Sequence, residues 1–98
     1  MNIDIHAIHF TSDEQLNQFI SKRLGKLELF FDRIIAMDVF LKVANSSEKS
    51  NKIVEVRLQV PNETMIVKKS AKSFEEGIDQ SADSLERSLM KHKQKLRS

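Results

Sequence analysis

The sequence predicts an α+β fold: a two-layer sandwich in which a four-stranded sheet carries two side-by-side helices on one face, in the order β-α-β-β-β-α. Three segments alternate apolar and polar residues with a period of two, as half-buried strands do, and a fourth does so less regularly because Met65, Ile66 and Val67 are all apolar. Two further segments repeat apolar residues at steps of three and four, as amphipathic helices do. The chain has 98 residues, enough to bury one core and too few for two.

The first strand and the first helix occupy the N-terminal third. Residues 2–8 alternate and predict the strand. Ser12 and Gln15 have the spacing of a capping box, which predicts that a helix begins there. The helix is predicted to continue beyond residue 30 with an apolar stripe made of Leu16, Phe19, Ile20, Leu24, Leu27, Phe30 and Phe31.

Three strands follow the first helix. Residues 34–44 predict the second strand, with an inward set of Ile35, Met37, Val39, Leu41 and Val43. A polar segment at 45–51 predicts a connection to the third strand, with an inward set of Val54, Val56, Leu58 and Val60. Pro61 and Asn62 predict a tight turn into a fourth strand over about 64–70.

A second helix is predicted from residue 73 to the C-terminus. Ser73 and Glu76 form a second capping-box pattern, and the apolar positions after it are Phe74, Ile78, Ala82, Leu85, Leu89 and Leu96. Gly25 and Gly77 fall inside the predicted helices, where glycine costs about 1 kcal/mol relative to alanine. Close backbone packing is therefore expected at both glycines.

Catalytic and metal chemistry find no support in the sequence. The chain has no cysteine, which excludes disulfides, thiolate nucleophiles and cysteine-ligated zinc. His6 and His9 lie three residues apart on a predicted strand and point to opposite faces, and His92 falls on the apolar side of the last helix, as a core-edge histidine does. We therefore expect a protein that is not an enzyme, with no metal, cofactor or small-molecule substrate.

The location expected from the sequence is the cytoplasm. The N-terminus has neither a basic stretch nor a continuous apolar run. No apolar segment approaches the length that spans a membrane, and the apolar face of the last helix is needed by the sheet. Membrane binding is therefore not expected.

Positive charge concentrates at the C-terminal end. No acid follows Glu86, whereas five cations do: Arg87, Lys91, Lys93, Lys95 and Arg97. Helix-dipole complementation accounts for two or three of them. Lys22, Arg23 and Lys26 form a second cluster on the first helix, with Arg23 near the edge of the apolar stripe. The two clusters predict binding to a phosphate backbone.

The aromatic residues favour recognition of a folded RNA by its phosphates and shape. Unpaired bases are usually stacked on exposed aromatic rings. Most of the phenylalanines are assigned to helix core faces, so that Phe10 and Phe40 remain as stacking platforms. Recognition of individual bases is therefore not the expected mode.

Four segments carry a resemblance to a known family: HF near the end of strand one, KLELFFDRI, DVFLKV, and IDQSADSLERSLMKHKQKL in the last helix. In this order and spacing, the chain resembles the short ribosome hibernation promoting factors over nearly its whole length. That family is also called ribosome-associated inhibitors, ribosomal subunit interface proteins or sigma-factor modulation proteins.

The resemblance implies one ribosome-binding domain over residues 1–98, without a C-terminal dimerisation domain. It implies binding to small-subunit ribosomal RNA in the channel used by messenger and transfer RNA, and inhibition of translation under stress or in stationary phase. The rRNA-binding residues that it implies are Lys22, Arg23, Lys26, Arg87, Lys91, Lys93 and Lys95. Arg23 is expected to project into a groove between the helices. In relatives of this kind an additional small modulation factor takes part in ribosome pairing.

Two other functions fit the same sequence. The first is a double-stranded-RNA-binding module not tied to ribosomes, since such domains share an α-β-β-β-α core. The second is a protein-interaction domain that uses the open face of the sheet around Ile34, Phe40, Ile53 and Ile66.

Overall fold

The computed structural model describes residues 2–44 and 51–97, with side chains as far as Lys95. Its elements are β1 (Ile3–Ala7), α1 (Glu14–Gly25), a 3-10 turn (Lys26–Leu29), β2 (Ala36–Val43), β3 (Lys52–Val60), β4 (Glu63–Ala71) and α2 (Phe74–Arg97). The predicted α+β class and the order β-α-β-β-β-α are confirmed. The predicted connection at 45–51 lies, apart from Asn51, outside the described residues.

The four strands form one sheet in the order β1-β2-β3-β4. β1 pairs with β2 in parallel, which requires a crossover connection, and α1 supplies it. β3 is antiparallel to both of its neighbours. The turn between β3 and β4 places Asn62 at φ 68, and asparagine is one of the few non-glycine residues that adopt this left-handed region readily.

Both helices cover the same face of the sheet, as predicted. The centres of β2 and β3 contribute the predicted inward residues, and the fully buried large side chains are Ile20, Leu24, Leu27, Met37, Leu41, Leu58, Ile78, Leu85, Leu89, Val39, Val54 and Val56. Ile35 and Val43, predicted to be inward at the ends of β2, are exposed instead. They lie at the margins of the sheet, beyond the area that the helices cover.

The first helix differs from its prediction at both ends. Its N-cap is Asp13, whose Oδ1 accepts a hydrogen bond from the Leu16 amide at 2.7 Å. The predicted capping box is therefore wrong: the Ser12 hydroxyl donates to Asn17 Oδ1 instead. Helix α1 ends at Gly25, and the chain tightens into the 3-10 turn. This change of pitch leaves Phe30 exposed, although it was predicted to lie in the core.

The second capping prediction places the start of α2 correctly. The Glu76 amide donates to Ser73 Oγ at 3.1 Å, so that Ser73 satisfies one of the first free amides of the helix. The predicted apolar stripe is buried from Phe74 to Leu89. Leu96 lies outside the described side chains.

The two glycines have different reasons to be glycine. A Cβ atom on Gly77 would lie 2.7 Å from Val54 Cγ2, which belongs to a fully buried side chain. A Cβ atom on Gly25 would meet nothing within 4 Å. Close packing is therefore confirmed at Gly77, and the same expectation for Gly25 is wrong.

Replacing each glycine by alanine should change stability in opposite directions. Gly77→Ala should lower the free energy of unfolding by about 1–3 kcal/mol, because the added methyl group overpacks the helix-sheet contact. Gly25 has φ −60, which alanine adopts without strain, so that Gly25→Ala should raise the free energy of unfolding by about 0.4–1 kcal/mol. Urea unfolding of both variants measures the difference, and a stabilised Gly77→Ala protein would contradict the packing argument.

Candidate nucleic-acid interface

The rotational position of α2 decides which of its side chains face solvent. Ile78, Leu85 and Leu89 are fully buried against the sheet. Near the C-terminal end, His92 is 8% exposed and continues the same stripe, which confirms the prediction of a core-edge histidine. Its Nδ1 lies 2.7 Å from Glu63 Oε2 at the start of β4, and its ring contacts Phe31 edge-on at 5.3 Å between centroids.

This position leaves the predicted basic residues of α2 in solvent. Arg87, Lys91, Lys93 and Lys95 are all exposed. At 100° per residue, Arg87 and Lys91 lie about 200° and 240° around the helix from Leu85. Lys93 lies on a different side, toward α1, where it borders Leu29 and Phe30. The α2 cations therefore cover two sides of the helix end.

Helix α2 is divided into an acidic half and a basic half. Its first thirteen positions contain Glu75, Glu76, Asp79, Asp83 and Glu86. Its remaining residues contain no acid. Negative charge near the N-terminus and positive charge near the C-terminus both suit the helix dipole, but that effect falls off within one turn. Arg87 precedes the helix end at Arg97 by ten residues, about 15 Å along the axis, so that the dipole does not explain it.

The α1 cluster lies beside α2. Lys22 is exposed in the last turn of α1, and Lys26 is exposed in the 3-10 turn rather than in the helix. Arg23 of α1 contacts Asp79 and Asp83 of α2. Farther along both segments, Phe30 borders Lys93. The two helices therefore run side by side in the same direction, with cations on both.

Arg23 bridges the two helices, as its position at the edge of the apolar stripe predicts. Its Nε lies 2.9 Å from Asp79 Oδ1, and its Nη2 lies 3.1 Å from Asp83 Oδ1. Its side chain is 26% exposed. Because the two carboxylates carry more charge than the one guanidinium, Arg23 presents no net positive charge to a phosphate. The structure gives this residue a positioning role, and its contact with rRNA stays a prediction.

The aromatic platforms differ from the prediction. Phe10 stacks on Phe74, with the ring planes at 9°. Phe40 is covered from both neighbouring strands, since His6 stacks on it from β1 and the Arg57 guanidinium lies over it from β3, each at 4.8 Å. Neither ring is a free stacking platform. Phe30, which was assigned to the core, is the exposed phenylalanine on the helix side; Gly25 after a basic helix end was the signal that could have indicated the break.

The open face of the sheet is a mixed surface. Ile34 packs against the core and does not belong to this face, contrary to its prediction. Ile66 is exposed, and Phe40 and Ile53 line a depression of about 250 Å³. Charged residues of both signs share that depression, namely Lys42, Glu55, Arg57 and Lys68.

Within the described ranges 2–44 and 51–97, no three histidine, cysteine or acidic side chains are grouped as metal ligands. His6 instead pairs with Asp38 at 3.2 Å, and His9 follows β1 with φ 65. No helix in this part of the chain combines the length and the apolar character that crossing a membrane requires.

The family model described as Sigma 54 modulation protein / S30EA ribosomal protein matches residues 3–97. The chain is 32% identical over 98 residues to a ribosome hibernation promoting factor of Pseudomonas putida, covering 100% of this chain and 92% of that protein. It is 33% identical to a protein of the same name from Klebsiella oxytoca, covering 99% of this chain and 96% of the other.

The fold matches that of a ribosomal subunit interface protein from Coxiella burnetii, with a TM-score of 0.83 and 20% identity over 95% of this chain and 98% of the other. At that identity the likeness shows the fold. The family model and the two relatives show more: this chain belongs to the Sigma 54 modulation protein / S30EA ribosomal protein family.

The bridge made by Arg23 predicts a measurable coupling between the helices. The three side chains are partly exposed, so each ion pair should contribute only about 0.2–1 kcal/mol. We expect Arg23→Gln and the double variant Asp79→Asn/Asp83→Asn each to lower the free energy of unfolding slightly, and the triple variant to be no worse than Arg23→Gln alone. A double-mutant cycle by urea unfolding measures this non-additivity, and full additivity would show that the bridge has no energetic role.

Proposed function

We propose that this protein is a ribosome hibernation factor, which binds small-subunit ribosomal RNA in the channel used by messenger and transfer RNA. Binding there inhibits translation under stress or in stationary phase. The membership of the chain in its family and the names of its relatives support this proposal. In this proposal the protein acts by occupying a site rather than by catalysis, as one ribosome-binding domain, and in the cytoplasm, where ribosomes are.

The basic half of α2 is the observation that carries the proposal. From Arg87 onward the helix has exposed cations and no acidic residue of its own, and Glu63 of β4 lies beside Lys91 and Lys95. Lysine and arginine side chains that replace condensed counterions on a phosphate backbone give strong, salt-dependent binding. The contacts proposed for α2 are Arg87, Lys91, Lys93 and Lys95.

The α1 side adds Lys22 and Lys26, both exposed. In the proposal they contact the same RNA from the neighbouring helix. Arg23 is included as the residue that holds the helices in their relative positions, through Asp79 and Asp83. An RNA phosphate that reached Arg23 would have to displace these carboxylates. The acidic half of α2, which would repel phosphate, is proposed to face away from the RNA.

Co-sedimentation of the purified protein with small ribosomal subunits across a salt series tests the proposal, followed by footprinting of the ribosomal RNA. Protections lining the channel and inhibition of translation in an extract are the expected results. Equal affinity for free RNA duplexes without inhibition would instead identify a double-stranded-RNA-binding module. We also propose that a small modulation factor takes part in ribosome pairing with this protein, and sedimentation of whole ribosomes with and without such a factor tests this.

Removing two charges from α2 should weaken binding and reduce its salt dependence. For Arg87→Gln/Lys91→Gln, the slope of log K against log salt should become shallower by roughly 1.5, because two phosphate contacts are lost. The affinity at low salt should fall on the order of tenfold. Co-sedimentation of each protein with small subunits measures both quantities.

The matched control is Lys42→Gln/Lys68→Gln, which removes the same charge from exposed lysines on the open sheet face. This control should keep the wild-type slope. If both double variants lost the same affinity and slope, binding would depend on overall charge, and the assignment of the interface to α2 would be wrong.

A further inference from the structure

An exposed apolar cluster adjoins the proposed RNA-binding surface. Leu29 is 83% exposed, Met90 50% and Phe30 38%. They surround a depression of about 280 Å³ between the end of the 3-10 turn and the C-terminal half of α2. Scattered apolar residues on a surface are ordinary, whereas a group of them around one depression marks a binding surface.

Packing of the core does not explain this cluster. Phe31, the neighbour of Phe30, is buried and contacts the His92 ring. Leu27, one turn earlier, is also fully buried. The segment therefore fills its share of the core with these two side chains, and the ring of Phe30 is left at the surface beside Met90 and Lys93.

The side chains that line this depression have the chemistry to bind a single nucleotide. Besides the apolar side chains, Lys93 and Gln94 line the depression, and no carboxylate does. A ring can stack on a base, an amide can exchange hydrogen bonds with the edge of a base, and an ammonium group can bind a phosphate. Lys93 and Phe30 also border a larger depression, whose far side is lined by Glu28 and Asp32 together with Arg33. Phosphate is therefore favoured on the α2 side, at Lys93, and disfavoured on the far side.

We propose that this depression binds one unpaired nucleobase of the RNA partner. The base stacks on Phe30, Gln94 contacts its edge, and Lys93 contacts the adjoining phosphate. The proposal rests on the proposed function in one respect: the cations of α2 bring the RNA backbone to this place. It adds a base contact to an interface that otherwise recognises only phosphates and shape.

Variants of Phe30 distinguish the contribution of ring stacking to binding from the contribution of charge. Phe30→Leu keeps an apolar side chain and removes the ring, so that affinity for small subunits should fall roughly 5- to 100-fold while the salt slope stays unchanged. Phe30→Tyr keeps the ring and should bind within about twofold of the wild type. Circular dichroism and urea unfolding confirm that both variants are folded. Wild-type affinity for Phe30→Leu would overturn the proposal.

Fluorescence provides a direct test, because the chain has no tryptophan. Phe30→Trp introduces one reporter in the depression, and stacking of a base should quench its emission when a short uridine oligonucleotide is added at low salt. An abasic oligonucleotide of the same length, which offers phosphates alone, should not quench it. The control reporter Ile66→Trp lies on the open sheet face and should respond to neither.

The same titration with small subunits distinguishes the two proposals. Quenching by the uridine oligonucleotide without any binding to small subunits would contradict the proposed function and support the base site. Small-subunit binding without quenching by either partner would contradict the base site and support the proposed function. A blue shift without quenching on the small subunit, together with weaker binding of Phe30→Leu, would show that a protein segment occupies the depression, which also overturns the base site.

Discussion

The burial of one stripe of α2 against the sheet is the contact on which the rest of the surface depends. At Gly77 the helix backbone approaches Val54 so closely that no Cβ atom fits. At the other end, His92 and Glu63 join the helix to the start of β4. Two contacts this far apart fix both the tilt and the rotation of a helix about 36 Å long. The cations of α2 are exposed to solvent as a consequence of that packing.

The acidic half of α2 contributes to the proposed interface because it repels phosphate. A helix that was basic along its whole length could slide along a polyanion, since phosphate contacts carry no sequence information. Here Asp79 and Asp83 hold Arg23, and with the other acids of that half they oppose phosphate over the first half of the helix. In the proposed interface, an RNA backbone would therefore be restricted to the C-terminal half. The same carboxylates position α1 beside α2, so that helix packing and the location of the interface have a shared cause.

Much of this arrangement could be predicted from the sequence, and the predictions that were wrong have identifiable causes. The centres of β2 and β3 alternate so regularly that their inward residues were determined by the period alone. The end of α1 could not be predicted from the period, because an α-helix and a 3-10 turn both bring Leu24 and Leu27 inward at a step of three residues. Ser12 and Asp13 are adjacent and both able to cap, and local pattern does not choose between them. The partners of Arg23 lie 56 and 60 residues away, a separation at which sequence spacing carries no information.

The error over the aromatic residues has the largest consequence for function. Strand periodicity correctly placed Phe40 on the open face, but it could not show that the flanking strands would place His6 and Arg57 on its ring. Helix periodicity placed Phe30 in the core, and the shift at Gly25 turned it outward instead. The accessible ring thus lies beside Lys93, on the α1 side of α2, whereas Lys91 and Lys95 lie on the other side of the helix, next to Glu63. In the two proposals, the strand that places a base on Phe30 also places a phosphate at Lys93, so that a weak local preference and a strong nonspecific attraction would act on the same strand.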